Sequence, residues 1–319
     1  MAENAKLTLF IPGTAASLED WNLALQPSGL SIEGSALRGA GLSYEVPIEW
    51  VDNDGSFGEA FSYGTVASDL VDVIDRAPGA LVLFWPIDLR EGRREIVSTV
   101  EHLQQAGALA VRIEESKLGW DVAGWLELFS SKDASDWHRG AVVYLTEPHE
   151  VQSCGMHAFS LPDVHLTVDG DAEDAQDLAT TFNIYQLRED PVLISGQTFR
   201  PDPDSPRRVL ERWPATIYPP SQPCHNPYGV WRLGPPGGVA RPQGSLAMVF
   251  MPPLVAVLRA LENQAKAPLT RQEVEAARDH ASCIAMEHRD AQRLERSRGY
   301  ADLDPELVWQ QWQLVRERD

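Results

Sequence analysis

A chain of 319 residues, 43% of them hydrophobic and 23% charged, is long enough to bury a sizeable core as about two globular domains. Its formal net charge of −20 sets it against nucleic acid and anionic membranes, both of which are held through Lys and Arg. No apolar run approaches the roughly 20 residues that a membrane span needs, and three cysteines are too few for a disulfide framework.

The start of the chain, Met1-Ala2-Glu3-Asn4-Ala5-Lys6, shows no basic region followed by an apolar one, so the expectation is a reduced, cytoplasmic protein. The charge is uneven. Residues 254–319 hold 10 Lys/Arg and 12 Asp/Glu, whereas residues 1–253 hold 17 and 35. A basic partner would therefore be steered toward the N-terminal part.

Leu7–Ile11 reads as a strand stopped by Pro12-Gly13, and Ser17 can cap a helix running through Trp21 to Leu25. Tyr44–Val51 reads as a strand that Pro47 places at an edge. Val66, Leu70, Val73 and Ile74 form a helical stripe. Ala80–Trp85 is a continuous apolar run, the mark of a strand buried on both faces. A helix carrying Ile96, Val100 and Leu103 follows, ended by Gly107, and Leu109–Glu114 returns as a strand. Together they suggest a right-handed βαβ crossover.

An aromatic helix is expected around Trp120, Trp125, Leu126 and Phe129. Buried and half-exposed strands are expected at Ala141–Leu145 and Val164–Val168. Ala175, Leu178, Ala179 and Phe182 line a helix, and Val192–Phe199 closes the region.

Residues 201–242 hold 11 of the 23 prolines, a density that opposes helix and central strand, yet aromatic residues are interspersed. The expectation is an ordered, extended segment wrapping the preceding domain. Thr270 and Glu273 form a capping box with Leu269 and Val274 as its staple, predicting a helix to Arg298 closed by Gly299. Asp304-Pro305 starts a last helix with Val308, Trp312 and Val315 on one face. The predicted class is α/β or α+β, a mixed sheet flanked by helices. The predicted layout is an α/β domain over 1–200, a proline-rich ordered segment packed on it over 201–244, and a helical C-terminal module over 245–319.

Every cysteine stands within three positions of a histidine: Cys154 with His157, Cys224 with His225, and Cys283 with His280. Cys154/His157 and His280/Cys283 have the spacing of zinc ligands, and two such pairs would fill a tetrahedral site if the fold gathered them. Nothing in the sequence makes them meet, so no metal and no cofactor is expected. Cys154, His157 and Asp163 also supply the residue types of a thiol nucleophile, its base and an orienting acid, and Gly155 would let a substrate approach the backbone. Glu114, at a predicted strand end, is the carboxylate best placed to border a cleft. The chain has no Gly-rich phosphate loop and no nucleophile elbow.

Ser153-Cys154-Gly155-Met156-His157 with Leu161-Pro162-Asp163, then Gly196-Gln197-Thr198-Phe199, then Asn226-Pro227-Tyr228-Gly229-Val230-Trp231-Arg232-Leu233 resemble an uncharacterised bacterial family of domain-of-unknown-function proteins over about residues 6–235. The tail, with Arg298–Glu306, Trp309 and Trp312, is similar to a small module of bacterial proteins from interbacterial toxin and type VI secretion neighbourhoods, often immunity partners. The resemblance carries no active site.

It implies a cytoplasmic protein-binding protein, an immunity (antitoxin) protein that neutralises a basic toxin or effector domain through an acidic, aromatic-bearing surface. Trp213, Trp231, Trp309 and Trp312 are the candidate anchors, because Trp is favoured at interface hot spots. The alternatives are a cysteine- or zinc-dependent hydrolase or transferase using Cys154 and His157, and a secretion-system adaptor that binds through its C-terminal helices.

Overall fold

The computed structural model describes residues 5–39, 41–62, 64–168, 170–213, 224–240, 244 and 246–316. It is an α+β protein with three sheets and, among the described residues, eleven α-helices. Contacts divide it into two compact units. The first comprises Met1–Val143 with Gly155–Ser160, the second Tyr144–Cys154 with Leu161–Asp319. The boundary drawn from the sequence at residues 200/201 falls inside the second unit, and so does the one at 244/245.

The first unit is built on β1 (Leu7–Gly13), α1 (Leu18–Leu25), β2 (Leu30–Glu33), β3 (Ala36–Gly39), β4 (Val46–Asp52), α2 (Phe57–Ala60), α3 (Ser68–Ile74), β5 (Gly79–Trp85), α4 (Arg93–Gln105), β6 (Ala110–Ile113), β7 (Leu118–Asp121), α5 (Val122–Ser130) and α6 (Ala134–Ala141). Its seven strands form one antiparallel sheet in the order β2-β3-β4-β5-β1-β6-β7. β5 is interior and largely buried, as its apolar run predicts. β5 and β6 run parallel to each other but are not neighbours, because β1 lies between them and pairs antiparallel with both. The expected crossover thus skips a strand.

β4 is also interior. Pro47 is tolerated because it stands at the second residue of the strand, before the ladder to β5 begins at Ile48. Ser17 caps α1 by accepting from the Asp20 amide, and Trp21 and Trp125 are fully buried. Val73 departs from its predicted stripe and is 41% exposed. Trp120 lies on β7, not on the aromatic helix, and its indole donates to the Gly140 carbonyl at 3.0 Å. Ala141 ends α6, so the following strand starts later than expected.

The second unit comprises β8 (Val143–Glu147), β9 (Glu150–Cys154), β10 (Asp163–Thr167), α7 (Ala172–Glu189), β11 (Thr198–Phe199), β12 (Arg208–Trp213), β13 (Val230–Leu233), β14 (Ala247–Phe250), α8 (Leu254–Ala265), α9 (Arg271–His280), β15 (Cys283–Met286), α10 (His288–Arg298) and α11 (Val308–Arg316). β8 to β13 form a mixed six-stranded sheet in the order β11-β12-β13-β10-β9-β8, with β10 and β13 parallel. Val151, Val164, Leu166, Leu210, Trp231 and Leu233 turn to one face and pack with Ala175, Ala179 and Phe182 of α7.

The proline-rich region therefore supplies strands of this sheet rather than a wrapping segment. Its prolines lie outside Arg208–Trp213 and Val230–Leu233, which leaves both stretches free to pair, and β13 is interior. Of the strand expected at 192–199, only Thr198-Phe199 forms a strand, while Gly196 and Gln197 bond through their backbones to Leu210 of β12. β8 is half-exposed rather than buried, because it is the sheet's edge.

β14 and β15 make a separate two-stranded ribbon over a core of Phe250, Leu254, Leu258, Leu269, Val274, Leu303, Val308 and Trp312. The capping box forms as predicted: the Thr270 hydroxyl accepts from the Glu273 amide while the Glu273 carboxylate accepts from the Thr270 amide. Leu269 and Val274 are both buried, as a staple requires. The helix does not run on to Arg298. It stops at His280 because Cys283–Met286 pairs with β14, and α10 then ends at Gly299 in the left-handed conformation. α11 begins at Val308, three residues beyond Pro305.

Candidate functional site

The polar centre of the second unit is a buried carboxylate. Asp163 opens β10 and is fully buried, together with Ser153 and Asn226. The Ser153 hydroxyl donates to Asp163 Oδ1 at 2.8 Å and accepts from the Val164 amide at 2.9 Å. Asn226 Nδ2 donates to Asp163 Oδ2 at 2.7 Å and to the Leu161 carbonyl at 2.9 Å, and Asn226 Oδ1 accepts from the Tyr228 amide at 2.8 Å. A buried carboxylate is tolerable only when its lone pairs are met in this way. The network also fixes where the chain re-enters the sheet before β13.

Cys154 ends β9 and is buried, and Cys224 stands two residues before Asn226 and is half-buried. The Cys154 side chain holds the Cys224 pKa below the ordinary thiol value, against partial burial and the charge of Asp163. The structure thus brings two of the three Cys–His segments together in one unit, with Asp163 beside them.

The other candidates fall elsewhere. His157 sits buried on a 3-10 turn, Met156–Phe159, that belongs to the first unit. Gly155 before it has φ +128°, and the Ala141 carbonyl fills the space where a Cβ would stand. Its missing side chain therefore admits the protein's own backbone, not a substrate. His225 is half-buried beside Cys224. His280 is exposed at the end of α9, its Nδ1 2.7 Å from the Ala276 carbonyl, and Cys283 is exposed on β15. Among the described residues no group of three or more His, Cys, Asp and Glu side chains is arranged to hold a metal ion.

Glu114 is occupied by two cations: Arg112 Nε donates to it at 2.7 Å and Lys117 pairs with it. Its neighbour Glu115 is the more unusual acid. It is buried, it accepts from the Thr8 amide at 2.7 Å, and burial pushes its pKa up to about 8.

Strand register reveals a row of polar residues that the sequence reading missed. Gln152, His165, Arg232 and Glu211 lie side by side across β9, β10, β13 and β12, on the face opposite α7. His165 Nε2 lies 3.3 Å from Glu150 Oε2, and the Arg232 guanidinium stacks 4.0 Å over the Trp213 ring. Burial and then the Arg232 charge lower the His165 pKa, while Glu150 opposes them. Gln152 Nε2, Arg232 Nε and Trp213 Nε1 are buried donors without a hydrogen-bond acceptor among the described residues. The only signal in the sequence was alternation: His165 and Arg232 interrupt apolar runs at the positions that face away from the core.

The tryptophans are largely occupied by packing. Trp231 is 4% exposed within the sheet's core and Trp312 is 1% exposed within the C-terminal core. Trp213 and Trp309 are half-buried. Apart from Val239, which is 79% exposed, the exposed large apolar side chains of the second unit lie on and beside the ribbon, where Leu246, Met248, Met251 and Ile284 are 43–52% exposed. Three of the four residues of β15 are exposed, and among the described residues neither β14 nor β15 has a further strand partner.

No helix among the described residues is long and apolar enough to cross a membrane. No protein-family model, curated protein or solved structure matches the chain.

Proposed function

We propose that this protein acts by binding another protein through the β14–β15 ribbon, and that the partner is a basic toxin or effector domain which it neutralises in the cytoplasm as an immunity protein. The observation that carries the reading is the ribbon itself. An isolated two-stranded sheet is marginal in water, and an apolar edge strand is a template for a further strand. A partner strand added to β15 would satisfy its outward backbone groups and extend the ribbon, with Ile284 on one of its faces and Met248 on the other.

Charge supports the choice of partner. The chain carries −20 overall, whereas residues 254–319, which include β15, carry 10 Lys/Arg against 12 Asp/Glu. An acidic body would steer a basic protein to the molecule, and a near-neutral apolar edge would hold it. The anchors in this reading are Met248, Met251 and Ile284 rather than Trp231 and Trp312.

The test is affinity capture from the native host with the wild-type chain and with the double variant Met248→Glu/Ile284→Glu, followed by mass spectrometry. Both substituted side chains are about half exposed, so the variant should keep the wild-type circular dichroism. The expected result is one stoichiometric basic protein that the variant loses, and whose toxicity on expression is relieved by the wild-type chain alone. A chain recovered without a partner, or a partner retained by the variant, would overturn the reading.

A further inference from the structure

The face of the six-stranded sheet opposite α7 is short of hydrogen-bond acceptors. Register sets Gln152, His165, Arg232 and Glu211 in one row, and Trp213 lies two residues beyond Glu211 on the same face. Gln152 is 3% exposed, yet its Nε2 has no acceptor, and Arg232 Nε and Trp213 Nε1 are buried in the same condition. No side-chain oxygen of these five residues is buried and unpartnered. Each buried donor left unmet costs free energy, and one on a guanidinium costs more than one on an amide or indole. Whatever completes this face must therefore bring oxygen acceptors. The Arg232 guanidinium stacks 4.0 Å from the centre of the Trp213 ring, which sets two of the groups with unmet donors face to face. A guanidinium fork matches the plane and spacing of a carboxylate. Charge narrows the choice further. Glu150 and Glu211 are near enough to act on Arg232, and Asp163 opens the strand that carries His165. A doubly charged phosphate would be repelled by these acids more strongly than a single carboxylate. His165, Arg232 and Trp213 are each partly exposed, so a ligand can reach them from solvent.

We propose that this face of the sheet is a binding site for a small monocarboxylate, held by Arg232 and the Trp213 indole, with Gln152 donating to the same ligand from beyond His165. The carboxylate supplies the acceptors that Arg232 Nε and Trp213 Nε1 lack and balances the guanidinium charge. Trp213 contributes a single neutral N–H and Gln152 an amide, so neither adds charge to the site. The site belongs to a different sheet from the β14–β15 ribbon and does not depend on what the ribbon binds.

The experiment titrates the full, isotopically labelled chain with sodium acetate, exchanged for sodium chloride at constant ionic strength, and follows it by nuclear magnetic resonance. The expected result is that the side-chain N–H signals of Trp213 and Gln152 shift along saturable curves with one dissociation constant. Arg232→Met should weaken acetate by about tenfold or more, the loss of one charge-assisted pair. Glu150→Gln should tighten it by roughly threefold, because one repelling charge is gone. The Glu150 side chain is 51% exposed, so that variant keeps the fold and decides the matter if Arg232→Met does not fold. Inorganic phosphate, titrated in the same way, should bind more weakly than acetate. The absence of a saturable shift in the wild type, a shift at only one of Trp213 and Gln152, or phosphate binding as tightly as acetate would overturn the proposal. So would an acetate affinity that Glu150→Gln leaves unchanged.

Discussion

Asn226 donates its side-chain amide to the buried carboxylate of Asp163 at 2.7 Å, so a residue from the proline-rich region closes the start of β10. The contact spans 63 positions of sequence and is shielded from water, since both residues are fully buried. Removing either partner leaves the other desolvated and unpaired. Asp163→Ala is expected to destabilise the second unit by roughly 3–5 kcal/mol and Asn226→Ala by roughly 2–4 kcal/mol, read from urea unfolding. The double variant should cost clearly less than the sum of the two. Additive losses would show that the two side chains do not act as one network.

Glu115 gives the first unit a dependence on pH of opposite sign to that of most carboxylates. Its folded pKa of about 8 lies above the ordinary 4.5, so the folded state binds the proton more tightly than the unfolded chain. Its contribution is full below pH 4.5 and is lost as the pH rises to about 8. Glu115→Gln keeps the acceptor for the Thr8 amide and removes the ionisation. Between pH 5 and 8 the wild type should lose on the order of a few kcal/mol that the variant keeps. Parallel pH profiles of the two proteins would refute the assignment.

Short-range order was largely legible from the residues, and long-range pairing was not. The Ser17 cap, the Thr270–Glu273 box and the apolar run of β5 each depend on neighbours a few positions apart, and each forms. The insertion of β1 between β5 and β6 depends on where an N-terminal strand docks, which no local pattern records. Prolines hid β12 and β13, because composition averaged over 201–242 masks two proline-free stretches inside it. The same limit applies to the site. Cys154 and Asp163 stood out in the sequence, but the meeting of Cys154 with Cys224 and the row Gln152–His165–Arg232–Glu211 exist only through strand register and chain return. Trp231 and Trp312 were conspicuous as anchors because a side chain that suits an interface suits a core equally well.

The C-terminal helices are fastened to the sheet of their own unit by named contacts. Arg212 of β12 pairs with Glu295 of α10 at 2.8 Å, Arg296 pairs with Asp190 at 2.6 Å, and the Ala301 amide donates to the Pro227 carbonyl at 2.8 Å. The Arg212–Glu295 pair is largely shielded, with side chains 18% and 26% exposed, so it should exceed an open surface pair. A double-mutant cycle over Arg212→Ala and Glu295→Ala is expected to return a coupling of about 1–2 kcal/mol. A chain ending at Gly244 should aggregate or lose the cooperative unfolding of the second unit, as followed by calorimetry. A soluble fragment with unchanged unfolding would show that these contacts contribute nothing.

His165 stands between two opposing charges, and each can be removed alone. Arg232, its neighbour across the β10–β13 ladder, lowers its pKa together with burial, while Glu150 raises it. Folding therefore favours the neutral ring, and its stabilising effect is present above pH 6.5 and lost as the pH falls through the lowered folded value. Arg232→Met should move the His165 titration upward, and Glu150→Gln should move it downward. Both are measured by selective histidine labelling and nuclear magnetic resonance across pH 4–8. The Arg232 variant should also change the fluorescence of Trp213, because the guanidinium no longer covers the indole. An unmoved His165 titration in both variants would mean that burial alone governs it, and that the row across the four strands is not electrically coupled.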